Sequence, residues 1–410
     1  MKILVNCYAC SPYKGSEPGM GWNFVKCLSK LHELHIITES KFQFDIDKYF
    51  TENPEEKKYY HFYFIEKERH KTLRKVWPPS YYWFYQAWQK KAYQLALRLD
   101  AHEHFDLIHQ LNMVGYREPG YLWKIPKKPF VWGPIGGFNI TPWNMLPSMG
   151  LYGTLFYGGR NLMNLWQMHT MARVLKAMKR ADAVISATKD CQAAIQKMYH
   201  RESTIIPEVG LVSSDNDTCV NQRLEKYPLR ICWSGQHTPG KSLNLLIDAL
   251  ALIKDCNVEL HVIGKGSQTS KWKKRALDKG VKNIVWHDWV PRSEALTIMK
   301  SAHCFVITSM CDLTSTVILE ALSLGLPVIA MDHCGFSNVL TDECGIKIPV
   351  TNVHQIALDL SNAILKLEAH EKYRVSLSQG ALEWAHTFGW EEKAKQIDLI
   401  YHQITKNDVL

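Results

Sequence analysis

Along the first half of the chain, short apolar runs alternate with stretches in which apolar residues recur at helical spacing. The runs at 3–8, 34–38, 61–65, 106–109, 129–132 and 183–187 read as buried strands, and the spacing over 19–31 reads as a helix. Strands separated by helices predict a parallel sheet with crossover helices. A polar stretch without period, 213–230, reads as a junction. The alternation then restarts, with runs at 229–233, 258–263, 284–286, 304–308 and 327–331. The chain closes on a helical pattern over 384–404 with no strand behind it. The pattern therefore predicts an α/β protein of two tandem domains. Ligands of such sheets lie beyond the carboxyl ends of the strands, at helix N-termini, which would set a site between two facing sheets.

Composition narrows the class. The chain has 410 residues, 46% apolar and 22% charged, enough for a sizeable core and unlike a disordered chain. It has no apolar run of about eighteen residues, and its first run is too short for a signal-peptide core, so a cytoplasmic protein is expected. Eleven scattered cysteines fit a reduced setting. Cys7 and Cys10 form a C-x-x-C, but at a strand end close to Pro12, which favours two ordinary thiols over a redox pair. His102, Glu103 and His104 have no partner cluster nearby in sequence, and no metal site is expected.

The net charge is +9, part of it in Lys71, Arg74, Lys75, Lys90, Lys91 and Arg98. These flank an aromatic block at 77–88. One reading is a core helix with a solvated basic face. The other is contact with an anionic inner-membrane surface or a lipid-linked acceptor. No nucleic-acid motif accompanies the charge, so no nucleic-acid partner is expected.

Two motifs carry the chemistry. Gly235, Gly240, Lys241 and Ser242 satisfy the phosphate-loop string G-x-x-x-x-G-K-[ST]. Pro239, however, removes a backbone donor that such a loop needs. A magnesium-dependent NTPase or kinase would also require Ser242 and Asp332 as metal ligands, and the strand following the loop ends without an acid. The second motif is Asp312, seven residues, then Glu320. Ser315, Thr316 and Val317 fall at the start of a helix, where N–H groups can take a diphosphate. Carboxylates beside them can accept hydrogen bonds from ribose and sugar hydroxyls. Together these residue types suit a nucleotide sugar.

On these motifs the chain resembles the family 4 glycosyltransferases of the GT-B fold, the large retaining class. The likeness runs through KGSEPGMGWNF, WSGQHTPGK, the run NIVWHDWVPRSEALTIMKSAHCFVITS, D-x7-E for the family's E-x7-E, and the terminal FGWEEKAKQIDLIY. It implies two Rossmann-like domains facing across a deep cleft. The expected bounds are 1–212 for the acceptor domain, 213–228 for the linker, 229–383 for the donor domain, and 384–410 for a helix returning to the first domain. It further implies retaining, metal-independent hexosyl transfer to a hydroxyl of a glycan or lipid-linked acceptor. Cell-surface polysaccharide or lipopolysaccharide synthesis would be the setting, in the cytoplasm or peripherally on the cytoplasmic face of the membrane. The nucleoside-diphosphate sugar is a co-substrate, and no cofactor is implied.

By the same resemblance, Lys241, Asp312, Glu320 and His109 would be catalytic. Gly19, Gly235, Gln236, Lys241, Gly264, Lys265, Pro291, Ser315, Thr316, Val317 and Glu320 would bind the donor. Glu17, Gly136 and Gly137 would touch the acceptor. Gln236 stands where the family has an arginine, so either another cation substitutes, with Lys265 and Arg292 the candidates, or diphosphate stabilisation is weaker. Asp312 is one methylene shorter than the family's glutamate. His109 lies two residues before the register position of the family histidine, Leu111, and reads equally as a core residue. Gly15, Gly19 and Gly21 are expected to let backbone approach a ligand. The rival readings are an epimerase of the same fold, a P-loop kinase, and a non-catalytic glycan-binding protein.

Overall fold

The structure, a computed structural model, describes residues 1–77, 80–212, 220–224 and 226–407. The chain forms two compact units. One comprises Met1–Phe138, Gln167–Glu208 and Trp390–Leu410, the other Asn139–Trp166 and Val209–Gly389.

The first unit is built on a parallel sheet of β1 (Lys2–Cys7), β2 (Glu33–Glu39), β3 (Tyr60–Ile65), β4 (Leu107–Asn112), β5 (Phe130–Ile135), β6 (Ala183–Ser186) and β7 (Thr204–Ile205). Their spatial order is β3-β2-β1-β4-β5-β6-β7. Ile3, Leu4, Val5, Ile36, Ile37, Leu107, Phe130 and Val131 are fully buried or nearly so. Helices cover both faces of such a sheet, so its strands are continuous apolar runs rather than alternating ones. β4 nevertheless continues through His109, Gln110 and Asn112, all buried. These polar side chains satisfy one another and their surroundings: Asn6 Nδ2 donates to Gln110 Oε1 at 2.9 Å, and Asn112 Nδ2 to the Ala9 carbonyl at 2.8 Å. The helix Trp390–Asn407 belongs to this unit. Its Trp390 ring meets Phe24 edge-on at 5.0 Å, and Glu391 pairs with Lys30 at 2.6 Å.

The second unit holds β8 (Leu229–Ser234), β9 (Val258–Ile263), β10 (Ile284–Asp288), β11 (Cys304–Ile307), β12 (Val328–Met331) and β13 (Gly345–Ile348). These are also all parallel, in the order β10-β9-β8-β11-β12-β13. Trp233, Leu246, Leu260, Val306 and Ile329 form its core with Ile356, Leu360 and Ile364 of the helix Val353–Ala369. Met145, Leu146, Met149 and Tyr157 join the same core. Residues 139–166 therefore pack with the second unit, although they precede the junction expected from sequence. Packing reveals that change of allegiance.

Residues 213–219 and 225 of the expected linker lie outside the described residues. The described part is anchored to the second unit. Arg223 donates its backbone N–H to Glu371 at 2.9 Å, and the fully buried Arg374 donates to the Asn221 carbonyl at 2.5 Å. β7 and β13 carry no apolar signal of their own, being two residues long and a half-exposed edge strand respectively.

Candidate active site

In the second sheet the strand order reverses between β8 and β11, so the loops leaving their carboxyl ends flank the position where ligands of open α/β sheets bind. These are the loops that carry both motifs. Trp233 Nε1 donates to Thr308 Oγ at 3.1 Å, and that hydroxyl donates to the Lys241 carbonyl at 2.8 Å. The Met310 N–H donates to the Gly240 carbonyl at 2.8 Å. The loop after β8 is thus stitched to the loop after β11. Pro239–Lys241 makes a single tight turn, and Ser242, with φ of 49°, leads into the helix Leu243–Leu252.

This stitching brings Lys241 against Asp312 as a direct ion pair, with both side chains about a quarter exposed or less. Asp312 precedes Ser315, the extended N-cap residue of the helix Thr316–Ser323, which makes no side-chain cap. The first-turn amides of Thr316 and Val317 have no intrahelical acceptor and favour an anion. Glu320 lies one turn further on and accepts from Arg292 Nε at 2.8 Å, with Arg292 Nη2 at 2.7 Å from the same oxygen. Glu320 is mostly buried, whereas the Arg292 side chain is largely exposed.

Gly235 and Gln236 open the loop, with Gln236 exposed. Gly264, at the end of β9, has φ of +114°, and an added Cβ would collide with the Gly235 carbonyl, so only glycine fits. Lys265 is exposed, and its carbonyl accepts from the His237 N–H at 3.2 Å. Pro291 caps the helix Arg292–Lys300. Between the two expected substitutes for the family arginine, the geometry brings Arg292 to the acidic motif. Sequence reasoning missed His237, which is buried among Trp233, Trp272 and Trp286. Its Nδ1 is hydrogen-bonded with Thr269 Oγ at 2.8 Å, and burial lowers its pKa to about 4. It is a neutral strut of the loop, a role with no motif to announce it.

The P-loop reading loses its metal ligand here. Ser242 is fully buried, and its hydroxyl donates to the Pro239 carbonyl at 3.1 Å. Asp332 stands at the end of β12, one strand beyond β11.

In the first unit, the corresponding reversal lies between β1 and β4. Glu17, in the first turn of the helix Ser16–Leu28, accepts the Val114 N–H at 2.7 Å, and burial raises its pKa. The Gly136 N–H donates to the Val114 carbonyl at 2.8 Å, and the Gly136 carbonyl accepts from Tyr116 at 3.0 Å. Gly137 follows with φ of +88°. Glu17, Gly136 and Gly137 thus belong to loops at one edge of the sheet.

Gly19, Gly21 and His109 have packing roles in this unit. An added Cβ at Gly19 would strike the Lys14 carbonyl, and one at Gly21 the Ala9 carbonyl. These glycines seat the helix against its own preceding loop, and Gly15 alone of the three faces open space. His109 is not a free acid or base. It is fully buried, and its Nε2–H donates to the Gly133 carbonyl at 2.7 Å. Nδ1 therefore accepts from the Tyr401 hydroxyl at 2.6 Å. Burial lowers its pKa to about 4. Both ring nitrogens are engaged, and Leu111 is buried as well.

Cys7 and Cys10 are free and buried, and Cys7 is held as the thiol by desolvation. Glu33, His35 and His61 are the described residues grouped closely enough to hold an ion. They lie at the opposite, amino-terminal edge of the first sheet, where Lys2 already approaches Glu33 at 3.6 Å and Glu103 at 2.8 Å.

Residues 220–384 match the family described as Glycosyl transferases group 1. D-inositol 3-phosphate glycosyltransferase of Corynebacterium glutamicum is 26% identical over 51% of this chain and 53% of its own length. The chain thus spans about half the length of the curated relatives it matches. Two solved structures share the fold. HepE of Anabaena, in complex with UDP and glucose, has a TM-score of 0.61 at 16% identity, covering 98% of this chain and 100% of its own. The lipopolysaccharide outer core galactosyltransferase WaaB has a TM-score of 0.63 at 15% identity, covering 97% and 98%. Its two Rossmann-like parallel-sheet units give the chain the GT-B fold of these structures, and its residues 220–384 match the group 1 glycosyl transferases.

Proposed function

We propose that the protein transfers a sugar, with retention of configuration and without a divalent metal, from a nucleoside-diphosphate donor to a hydroxyl acceptor. The observation that carries this reading is the Lys241–Asp312 pair set directly before the uncapped N-terminus of the helix Thr316–Ser323. Lys241 and the amides of Ser315, Thr316 and Val317 would hold the diphosphate. The leaving diphosphate gains negative charge in the transition state, so a fixed cation and oriented N–H groups lower the barrier. Asp312 fixes the lysine's position. Glu320, held by Arg292, would accept ribose hydroxyls, and Arg292 would partly replace the charge missing at Gln236. Gly235, Gln236, Gly264, Lys265 and Pro291 would line the donor, and Glu17, Gly136 and Gly137 the acceptor side.

The UDP and glucose bound by the Anabaena protein support a sugar-nucleotide donor. The likeness to a lipopolysaccharide galactosyltransferase favours a cell-surface glycan setting at the cytoplasmic face of the membrane. No helix of the described residues is long and apolar enough to cross a membrane. Peripheral contact is supported by Val76, Trp77, Tyr82 and Trp83, all exposed beside Arg74 and Lys75, whereas Tyr85 and Trp88 of the same block are buried core. Pro78 and Pro79 lie outside the described residues.

The test is a thermal-shift series with UDP, GDP, ADP and their sugar derivatives, with and without EDTA. A ligand at a hundredfold its Kd stabilises by about 2.7 kcal/mol. A shift with one nucleoside diphosphate that survives EDTA is expected. A shift confined to nucleoside triphosphate with magnesium would overturn the reading.

A further inference from the structure

Past the carboxyl ends of β1, β2 and β3, the first unit gathers cations and tyrosines that the donor chemistry does not use. Lys67 is only 4% exposed. Its Nζ donates to the Tyr8 hydroxyl at 3.1 Å and lies 3.5 Å from the centroid of the Tyr81 ring. The Tyr85 ring is 5.6 Å away. Lys41 Nζ is 5.5 Å from the Tyr8 ring, and the Arg74 guanidinium is 5.3 Å from the Tyr81 ring. Lys41 and Arg74 are exposed, so they form a rim above the buried lysine.

The acids of this corner are committed elsewhere. Glu39, fully buried, is taken by Lys41 at 3.0 Å and by Arg69. Glu68 pairs with Lys91, and Glu17 with the Val114 amide. Among the described residues, Lys67 joins no ion pair. The Tyr8 hydroxyl and the faces of Tyr8, Tyr81 and Tyr85 surround its ammonium, with the cations Lys41 and Arg74 nearby. A buried ammonium without a counter-charge is costly. The physical mark of that mismatch is a pKa lowered to about 7 by desolvation and by the charges of Lys41 and Arg74. An oxyanion seated between floor and rim would remove it, and the tyrosine hydroxyls of Tyr8 and Tyr81, 3.5 Å apart, stand beside the lysine to share hydrogen bonds. The corner also lies on the sheet edge where ligands bind.

We infer that this corner binds a phosphate group carried by the acceptor, with Lys67 as its floor, Lys41 and Arg74 as its rim, and Tyr8 and Tyr81 alongside. Three cations with no carboxylate left for Lys67 suit a dianion better than a neutral glycan. The inference rests on the reading of the first unit as the acceptor side, and names the chemical class of that acceptor. The phosphate can come from a soluble sugar phosphate or from a lipid headgroup; both present the same oxyanion.

The experiment is calorimetric titration of the full chain with inorganic phosphate and with glycerol 3-phosphate, glycerol being the neutral control. Wild type is compared with Lys67→Met, Lys41→Gln and Arg74→Gln. Sedimentation with vesicles containing phosphatidic acid, against vesicles of neutral lipid, separates the lipid source from the soluble one. Phosphate affinity is expected to fall at least tenfold in Arg74→Gln and Lys41→Gln and to vanish in Lys67→Met. The rim variants keep the test decisive if Lys67→Met does not fold, because both side chains are exposed. Absence of phosphate binding, or binding unchanged in the rim variants, overturns the inference. The nucleoside-diphosphate thermal shift is recorded on each variant: its loss in wild type defeats the transferase reading, whereas its persistence with no phosphate binding defeats only this site.

Discussion

Lys241 and Asp312 stand 71 residues apart in sequence and form a direct ion pair in the loops that flank the strand-order reversal of the second sheet. The pair is partly solvent-exposed, so its worth to the fold is small. Its consequence is positional: it holds a cation beside a helix N-terminus. Lys241→Ala is expected to lower turnover of the donor about a hundredfold, the scale of losing one preorganised charge-stabilising group, with the melting temperature nearly unchanged. Steady-state kinetics beside a melting curve checks this; wild-type turnover would remove Lys241 from the site.

Arg292 and Lys265 divide cleanly in the structure, since only Arg292 is placed against the acidic motif. Arg292→Gln is therefore expected to weaken donor binding about tenfold, on the order of 1.4 kcal/mol, and Lys265→Gln to change it little. Titration of both variants with the diphosphate found by thermal shift decides between them. A larger loss in Lys265→Gln would reverse the assignment.

Ser242 offers a test against metal-dependent phosphoryl transfer. Its hydroxyl is buried on the Pro239 carbonyl. Ser242→Ala should leave transfer activity within a few-fold of wild type and insensitive to EDTA. Abolished activity, restored by no metal-free condition, would favour the kinase reading.

His109 gives a stability prediction with a defined sign. Its pKa is about 4 in the fold, against roughly 6.5 in the unfolded chain. Between those values the unfolded chain binds more protons, so stability is complete above pH 6.5 and lost as pH falls toward 4. The loss from this one residue is on the order of 3 kcal/mol. His109→Gln should flatten the dependence of unfolding free energy on pH in that window while leaving kcat at pH 7.5 unchanged. A large fall in kcat with intact folding would restore His109 to the chemistry.

Much of the architecture was legible in the residue pattern because parallel strands buried on both faces must be apolar runs, and crossover helices must separate them. The edge strands β7 and β13 were not legible, since short or half-exposed strands lack that run. The residues of the two motifs could be grouped where a motif is local: Gly235 to Lys241 in one loop, and Asp312 to Glu320 across one helix start. The packing roles of Gly19 and Gly21 were not legible, and His109 stood equally between core and chemistry, because a glycine needed for internal packing and one needed for a ligand look alike in a string. So do a histidine with both nitrogens bonded and one left free.

The amino-acid sequence by itself determined two α/β sheets, the order of their strands along the chain, and the residue types able to hold a diphosphate. These follow from periodicity and local hydrogen-bonding chemistry. Only the tertiary structure decided that Lys241 meets Asp312, that Arg292 meets Glu320, that residues 139–166 pack with the second unit, and that Lys67 is buried and joins no ion pair among the described residues. Contacts between residues distant in sequence depend on strand order and on which side chains exclude water, and neither quantity is encoded at any single position.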